Sequence, residues 1–399
     1  MYNSIVYLKK LELKNYRNYS YVNLNFDKNT ILILGNNGNG KTNLLESIYY
    51  LSTGRSHRTY SQDEIIKWGS DYSIIKALIG SEKNNGIDHL IEIELRKENN
   101  IKIRVDKIYQ RKKSDFISML PSVIFSPDDL KIVKSGPSDR RNFLDSILEK
   151  LDWKYYRQRL QYQKILVQRS SLIKSISGRA GAASNSTLEV WNDNIVRYGT
   201  DIIEKRYRLL AEFRDEFRSY VNSFFKGVEV DLFYVFSWDR GDNLDEYTDY
   251  FNAKSYKKEN FIENNLKDIF YRKLIESLQK DLLYKTTTVG PHRDDFIILL
   301  NGKNIRSFGS QGQQRVASIS LKLCELDILR KRIKKDPILL LDDVFSELDI
   351  ERRKLLVKAV SDRFQTFVTT TNISYLDKLD LEFGNKLLIK DNKIAVSNL

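Results

Sequence analysis

The segment Gly35-Asn36-Asn37-Gly38-Asn39-Gly40-Lys41-Thr42 is a complete G-x-x-x-x-G-K-[ST] loop. An apolar run, Thr30 to Leu34, leads into it, and a helical pattern leaves it from Thr42 to Leu51. That order constrains the fold more than any other stretch. A buried strand delivers the chain to a tight turn, and a helix starts there with its positive end and free N–H groups facing an anion. In such a loop Lys41 reaches the β- and γ-phosphates of a nucleotide and Thr42 offers a hydroxyl to Mg²⁺. The candidate ATP-binding set is Gly35, Asn36, Asn37, Gly38, Asn39, Gly40, Lys41, Thr42 and Asn43. A chance Gly/Asn turn is the competing reading, and the flanking strand and helix argue against it.

Two further motifs lie near the other end of the chain. Ile338-Leu339-Leu340-Leu341-Asp342-Asp343 is an apolar strand ending in two carboxylates. Asp342 is the candidate Mg²⁺ residue, through water or directly. Asp343 stands where many ATP-binding cassettes place a glutamate that polarises the attacking water. Being one methylene shorter, it implies slow hydrolysis, or positioning more than proton transfer. Upstream, Ser310-Gln311-Gly312-Gln313-Gln314-Arg315 has the form of a cassette signature. A hydroxyl and a close-approaching backbone at a helix start can bind an anion. Ser310, Gly312 and Gln313 are therefore candidates for the nucleotide of a second copy, and Ser310 joins Lys41 and Asp343 as a catalytic candidate acting in trans. Alone, this motif would read as a polar helix cap. Ser346-Glu347-Leu348-Asp349 resembles the loop that crosses to the partner site, Thr369-Thr370-Thr371 ends the strand that carries a phosphate sensor, and Gln62 is the candidate for the glutamine loop. Together these motifs predict an α/β ATP-binding-cassette head that dimerises with ATP and hydrolyses it slowly.

The chain has 399 residues and a formal net charge of +13. That size suggests two lobes, and that charge suits a polyanionic partner. A solvated basic surface is the plain alternative. One cysteine, Cys324, in an apolar helical pattern, rules out an internal disulfide and reads as core. Lys9, Lys10, Glu12 and Lys14 interrupt the N-terminal apolar residues, and no run is long enough to span a bilayer, so a cytoplasmic protein without a membrane partner is expected.

Between the two nucleotide motifs the pattern changes. Strand patterns at 73–80, 89–97 and 100–106 predict a small antiparallel lobe. A long helix is expected from Gly136-Pro137-Ser138-Asp139 through Ile176, with Gln158 and Arg169 as polar interruptions, then a small-residue tip at 177–187 and a returning helix from Trp191 to Phe224. About 35 residues of helix would make an arm of roughly 50 Å. Residues 239–260 read as loop. The expected organisation is a head half at 1–120 with the antiparallel lobe, an inserted helical arm at 121–285, and a second head half at 286–399. The arm carries Lys150, Lys154, Arg157, Arg159, Lys164, Arg169, Lys174 and Arg179 against one acid, Asp152. Lys150, Lys154, Arg157 and Lys164 fall on one helix face, interleaved with Tyr155, Tyr156 and Tyr162, and are candidate DNA phosphate contacts. A solvated helix face is the alternative. Arg55 and Arg58, with His57, form a second basic patch that could line the DNA or the ATP side of the head. His292-Arg293-Asp294-Asp295 carries no chemistry that residue types alone assign, and a charged loop at the base of the arm is the plain reading.

In this order the motifs resemble the RecF family of bacterial recombination-repair proteins. The residues that carry the resemblance are Leu11 to Tyr19 (LELKNYRNY), Gly35 to Asn43, Phe125 to Leu130, Gly136 to Asp145, Gly290 to Asp295, Ser310 to Arg315, and Leu339 to Asp349. The resemblance implies an SMC-like head, ATP-dependent dimerisation, and binding to single-stranded DNA or a single-strand/duplex junction. It also implies DNA-stimulated hydrolysis and work with RecR and RecO in loading RecA at gaps, with roles in replication restart and SOS induction. The alternative, an SMC-type DNA tether, wants a far longer coiled coil than the residues between Lys41 and Ser310 can supply. A transporter ATPase would have a shorter insertion and no basic arm, and a scaffold with a dead site is opposed by Lys41, Thr42 and Asp342.

Overall fold

The computed structural model describes residues 4–27, 30–59, 61–81, 88–98, 100–111, 114–117, 119–176, 185–239, 259–360, 364–377, 379, 381 and 383–397. The chain begins β1 (Ser4–Tyr16), β2 (Tyr19–Asn25), β3 (Thr30–Gly35), α1 (Lys41–Thr53), β4 (Tyr72–Ser81), β5 (His89–Arg96), β6 (Asn100–Val105), β7 (Ile108–Gln110), α2 (Ser114–Ile117) and β8 (Ser122–Phe125). It continues with α3 (Leu130–Lys134), α4 (Pro137–Leu151), α5 (Trp153–Ile176), α6 (Asn185–Phe224), β9 (Val230–Val235), α7 (Glu259–Glu276), α8 (Leu278–Tyr284), β10 (Asp295–Leu300), β11 (Lys303–Asn304), α9 (Ile305–Phe308) and α10 (Gln311–Ile333). It closes with β12 (Lys335–Asp336), β13 (Ile338–Asp342), α11 (Ile350–Val360), β14 (Thr366–Thr370), β15 (Phe383–Lys390) and β16 (Lys393–Ser397).

These elements divide into two compact units, Met1–Asp129 with Lys322–Leu399, and Leu130–Leu321. The boundaries depart from those expected at 120/121 and 285/286. β8 pairs in parallel with β13, which keeps residues up to Asp129 in the nucleotide unit. β10 pairs antiparallel with β9, and Asp295 is bonded to Arg140, which holds residues 286–321 in the other unit.

In the first unit a six-stranded sheet runs in the order β16-β15-β3-β14-β13-β8, and all its neighbours are parallel except β15 and β16. Its central strands are near-continuous apolar runs, Ile338 to Leu341 and Phe367 to Val368, as a parallel sheet covered on both faces requires. The antiparallel lobe is the expected meander, β1 with β2 and β4, then β4-β5-β6-β7. Leu8, Leu11 and Leu13 of β1, Ile75 of β4 and Ile91 of β5 share one core with Leu44, Leu45, Ile48 and Leu51 of α1. Burying each such side chain contributes about 1.5–3 kcal/mol. Cys324 is buried, as expected.

In the second unit α5 and α6 form the helical pair, 24 and 40 residues long, or roughly 36 and 60 Å. The single helix expected from 137 to 176 is two helices. Asp152 takes an extended backbone (φ −145, ψ 105) and its carboxylate accepts the Lys154 N–H at 2.8 Å, ending α4 and capping α5. The tip expected at 177–187 and the loop at 239–260 fall largely outside the described residues. Arg169 is not a surface interruption. It is fully buried and donates to Asp281 (2.7 Å), Thr287 (2.8 Å) and Asn192 (2.8 Å). Nor is His292 to Asp295 a solvated loop. Asp295 binds Arg140 through both oxygens (2.6 and 2.9 Å), and Asp294 accepts from the Tyr234 hydroxyl and the Ser237 N–H, each at 2.7 Å. Nearby, Arg206 grips both oxygens of Asp145 and donates to the Pro291 carbonyl. Buried charge pairs of this kind contribute little net stability, but removing one partner costs about 3–5 kcal/mol. Among the described residues no helix is long and apolar enough to cross a membrane.

Candidate nucleotide-binding site

The parallel register decides which side chains meet. β14 lies between β3 and β13, with Thr370 opposite Leu34 and Thr369 opposite Asp342. The carboxyl ends of three strands thus converge where β3 turns into α1, the end at which open parallel sheets bind ligands. The loop Gly35–Gly40 closes on itself there. Gly40 has φ +103, and a Cβ at this position would sit 2.5 Å from the Asn18 amide and 2.7 Å from the Tyr19 hydroxyl, which itself donates to the Gly40 carbonyl at 3.0 Å. The Asn39 side chain donates to the Ile389 carbonyl of β15. Asn36, Asn37 and Gly38 form the exposed crest.

The Lys41 ammonium lies against the Gly35 and Asn36 carbonyls at 2.6 and 3.1 Å. Burial lowers its pKa, against the attraction of Asp343 and Asp342. The Asp342 carboxylate accepts the hydroxyls of Thr42 (3.1 Å) and Thr369 (2.8 Å). Burial pushes its pKa up, opposed by those two hydroxyls and the charges of Lys41 and Arg58. Thr369 also receives the Asp343 N–H at 3.0 Å, so of the three candidate sensor threonines it is the one that reaches both acids. Asp343 is likewise pushed up by burial, and its Oδ1 is buried with no hydrogen-bond partner among the described residues. These groups fit a magnesium-bound triphosphate. Thr42 and Asp342 present oxygens on one side, Lys41 presents a cation, and an unsatisfied carboxylate oxygen stands beside them.

Some residues arrive where sequence reasoning did not put them. Asn43 donates to the Asn18 carbonyl oxygen (2.8 Å) and accepts from Arg58 (2.8 Å), so its amide links the loop helix to the β1–β2 turn. Arg58 thus reaches the helix that starts at Lys41. Arg55 is half-buried. Gln62 spends its amide on the Arg96 and Asn100 carbonyls (2.7 and 3.2 Å) at the β5–β6 turn, which corrects its candidacy for the glutamine loop. Sequence reasoning missed Arg17 and Glu46. Arg17 bonds both oxygens of buried Glu46 on α1 (2.8 and 2.6 Å), tying the β1–β2 turn to the helix that starts at Lys41. The run LKNYRNY held that signal, but an arginine in a turn does not announce its partner.

The signature residues lie in the second unit. Ser310 and Gln313 form a reciprocal capping box: the Ser310 hydroxyl accepts the Gln313 N–H (3.2 Å) while the Gln313 side chain accepts the Ser310 N–H (2.8 Å). The Gln314 amide donates to the Ile305 and Arg306 carbonyls. Ser310 is exposed and Gly312 half-exposed. On the arm, Lys154, Arg157 and Lys164 are exposed on α5, as expected. Lys150 is not; at 8% exposure its stem lies in the helix packing, which corrects its placement as a phosphate contact. Tyr155 and Tyr162 are also internal, their hydroxyls engaged by Asp145 and His292, so neither is free to stack on a base.

Residues 7–388 match the family described as RecF/RecN/SMC N terminal domain. A DNA replication and repair protein RecF of Clostridium tetani is 40% identical over 393 residues, covering 98% of this chain and 100% of that protein. The chain belongs to the RecF family. A RecF of Bacillus cytotoxicus is 34% identical over 98% of both chains. Among solved structures, the recombination mediator protein RecF-ATPrS in the RecFOR pathway superposes with a TM-score of 0.84 at 33% identity, over 99% of each chain. An Smc head bound to the C-terminal winged-helix domain of ScpA superposes at 0.53 with 15% identity and shares the fold alone. The chain thus has an ABC/SMC-type ATPase head, as the motif order predicts.

Proposed function

We propose that this RecF-family chain is an ATP-dependent DNA-binding protein of recombinational repair and replication restart. Two copies close head to tail on DNA at single-strand gaps. Ser310, Gly312 and Gln313 of one copy face the nucleotide held by Gly35 to Asn43 of the other, and hydrolysis releases the pair. The observation that carries this reading is the Thr42–Asp342–Thr369 hydroxyl–carboxylate arrangement with the Asp343 oxygen unsatisfied beside it. Thr42 and Asp342 would hold Mg²⁺, which neutralises phosphate charge when bound. Lys41 leaves the loop carbonyls for the phosphates, and Asp343 orients water. A carboxylate one methylene short of glutamate reaches less far towards the water it must orient, which supports slow hydrolysis. Exposed Ser310 at a capped helix start supports a role towards a second copy. Exposed Lys154, Arg157 and Lys164 supply the DNA contacts. The solved relatives named RecF-ATPrS and RecF-ATP in the RecFOR pathway support ATP as ligand and RecR, with RecO, as partners; a part in RecA loading and SOS induction is what resemblance to the RecF family implies. A long-range SMC-type tether is disfavoured by helices of only 24 and 40 residues.

Mixing two inactive variants tests the trans arrangement. Lys41→Ala loses the nucleotide and Ser310→Arg loses the closing surface, so each alone should hydrolyse almost no ATP. A mixed pair keeps one intact composite site, and mixing should restore activity. No restoration would contradict a shared site.

A further inference from the structure

We propose that Trp68 and the basic rim beside it form a stacking site for an unpaired base of a nucleic-acid strand. This deepens the reading above and rests on it.

Trp68 is 99% exposed. Tryptophan is rarely left so open on a folded surface, because its apolar area is the largest of any side chain. The turn that carries it is firmly built. Ile66 bridges to Tyr16, the Lys67 N–H donates to the Asn15 carbonyl (2.9 Å), and the Ser70 N–H closes the turn on the Lys67 carbonyl (2.9 Å). Gly69 follows at φ +80, the conformation that the third residue of a type II turn demands. Trp68 is therefore the corner residue of a turn anchored to β1, and that backbone presents its indole to solvent.

The indole borders an open pocket of about 820 Å³. Arg58, Lys67 and Lys97 line it with the amides of Asn18 and Asn43, and Asp63 and Glu64 complete the wall. Among the described residues Lys97 is held only by an exposed pair with Asp71 (3.0 Å), and Lys67 by the Ser20 hydroxyl. Exposed pairs of that kind are worth little and exchange readily for a phosphate. An aromatic face, cations at its edge and neutral amides on the floor match the surface that binds single strands: bases stack and the backbone is neutralised. A protein-docking hot spot would want an apolar collar around the indole, whereas among the described residues Ile66 is the only other apolar side chain in this lining.

The test uses the full chain with Mg²⁺ and a slowly hydrolysed ATP analogue, measuring anisotropy of labelled single-stranded, junction and blunt duplex DNA. Trp68→Ala should weaken single-strand and junction binding about tenfold, the loss of one stacked base, with Trp68→Phe recovering most of it. Duplex and nucleotide affinities should change by no more than about twofold. Part of the tryptophan emission should be quenched by single strands in wild type and not in Trp68→Ala. An equal loss on duplex, or unchanged affinity on every DNA that wild type binds, overturns the stacking site and leaves the proposed function standing. A loss of nucleotide affinity instead would assign the indole to the base of the bound ATP and overturn the proposal. Wild type binding none of these DNAs would overturn the broader reading itself.

Discussion

Asp343 adopts φ +52, a left-handed conformation that costs a non-glycine residue about 1 kcal/mol or more. Bonds on both sides hold it there: its N–H meets Thr369 and its carbonyl accepts the Ser346 hydroxyl at 2.7 Å. Strain kept in this way at the end of Asp342 aims a carboxylate rather than packing one. Asp343→Asn should leave ATP affinity within about threefold and cut hydrolysis by at least tenfold, a loss of transition-state stabilisation only; equal losses in both would assign Asp343 to binding. His292 makes a second residue-scale claim. Its Nε2 lies 2.9 Å from the Thr287 carbonyl and so carries the proton, while Nδ1 accepts the Tyr162 hydroxyl at 2.7 Å. Burial pushes its pKa down to about 3 from the ordinary 6.5. Above pH 6.5 folded and unfolded forms are both neutral and the full stability is present. As pH falls from 6.5 towards 3 only the unfolded chain takes the proton, and stability drops by about 1.4 kcal/mol per unit. His57, pushed down to about 4 by burial, acts in the same direction. Denaturant midpoints at neutral and mildly acidic pH should therefore converge in His292→Gln relative to wild type, and an unchanged pH dependence would contradict the neutral assignment. The phosphate-loop residues were legible because glycine spacing and Lys-Thr report chemistry directly. His292 was not, because its partners Tyr162 and Thr287 are distant in sequence and nothing in residue type announces them.

Elements were legible wherever periodicity was strong. β13 reads as a buried apolar run in the sequence and is one in the structure. The break at Asp152 was hidden because the apolar spacing continues across it, through Leu148, Leu151 and Tyr155, while a side-chain cap interrupts the backbone. The start of α11 at Ile350 is set by a similar side-chain cap. Asp349 accepts the Arg352 N–H at 2.9 Å, which makes it the cap, and Val344–Glu347 is a separate short turn. The basic face of α5 was read one residue too generously. A lysine ending one helix is drawn into its packing, whereas Lys154, Arg157 and Lys164 on the next stay in water. If these three hold phosphates, reversing them to Glu should weaken DNA binding and flatten the slope of log affinity against log salt by roughly 2–3. A slope equal to wild type would move the footprint elsewhere.

For the whole molecule, the order of motifs identified the head, but unit boundaries depend on pairings between distant segments. β8 with β13, and Asp295 with Arg140, moved them by pairing that composition does not reveal. The capping box at Ser310 shows a residue doing structural work within its own chain while its hydroxyl stays exposed, which is the disposition a surface shared between two copies requires. If ATP joins two heads through that surface, solution mass by light scattering, with and without Mg-ATP, on wild type and Ser310→Arg will show it. Wild type should double its mass with ATP, and Ser310→Arg should bind ATP yet stay monomeric. A wild type that stays monomeric with ATP bound, or a Ser310→Arg that dimerises as well as wild type, would contradict it.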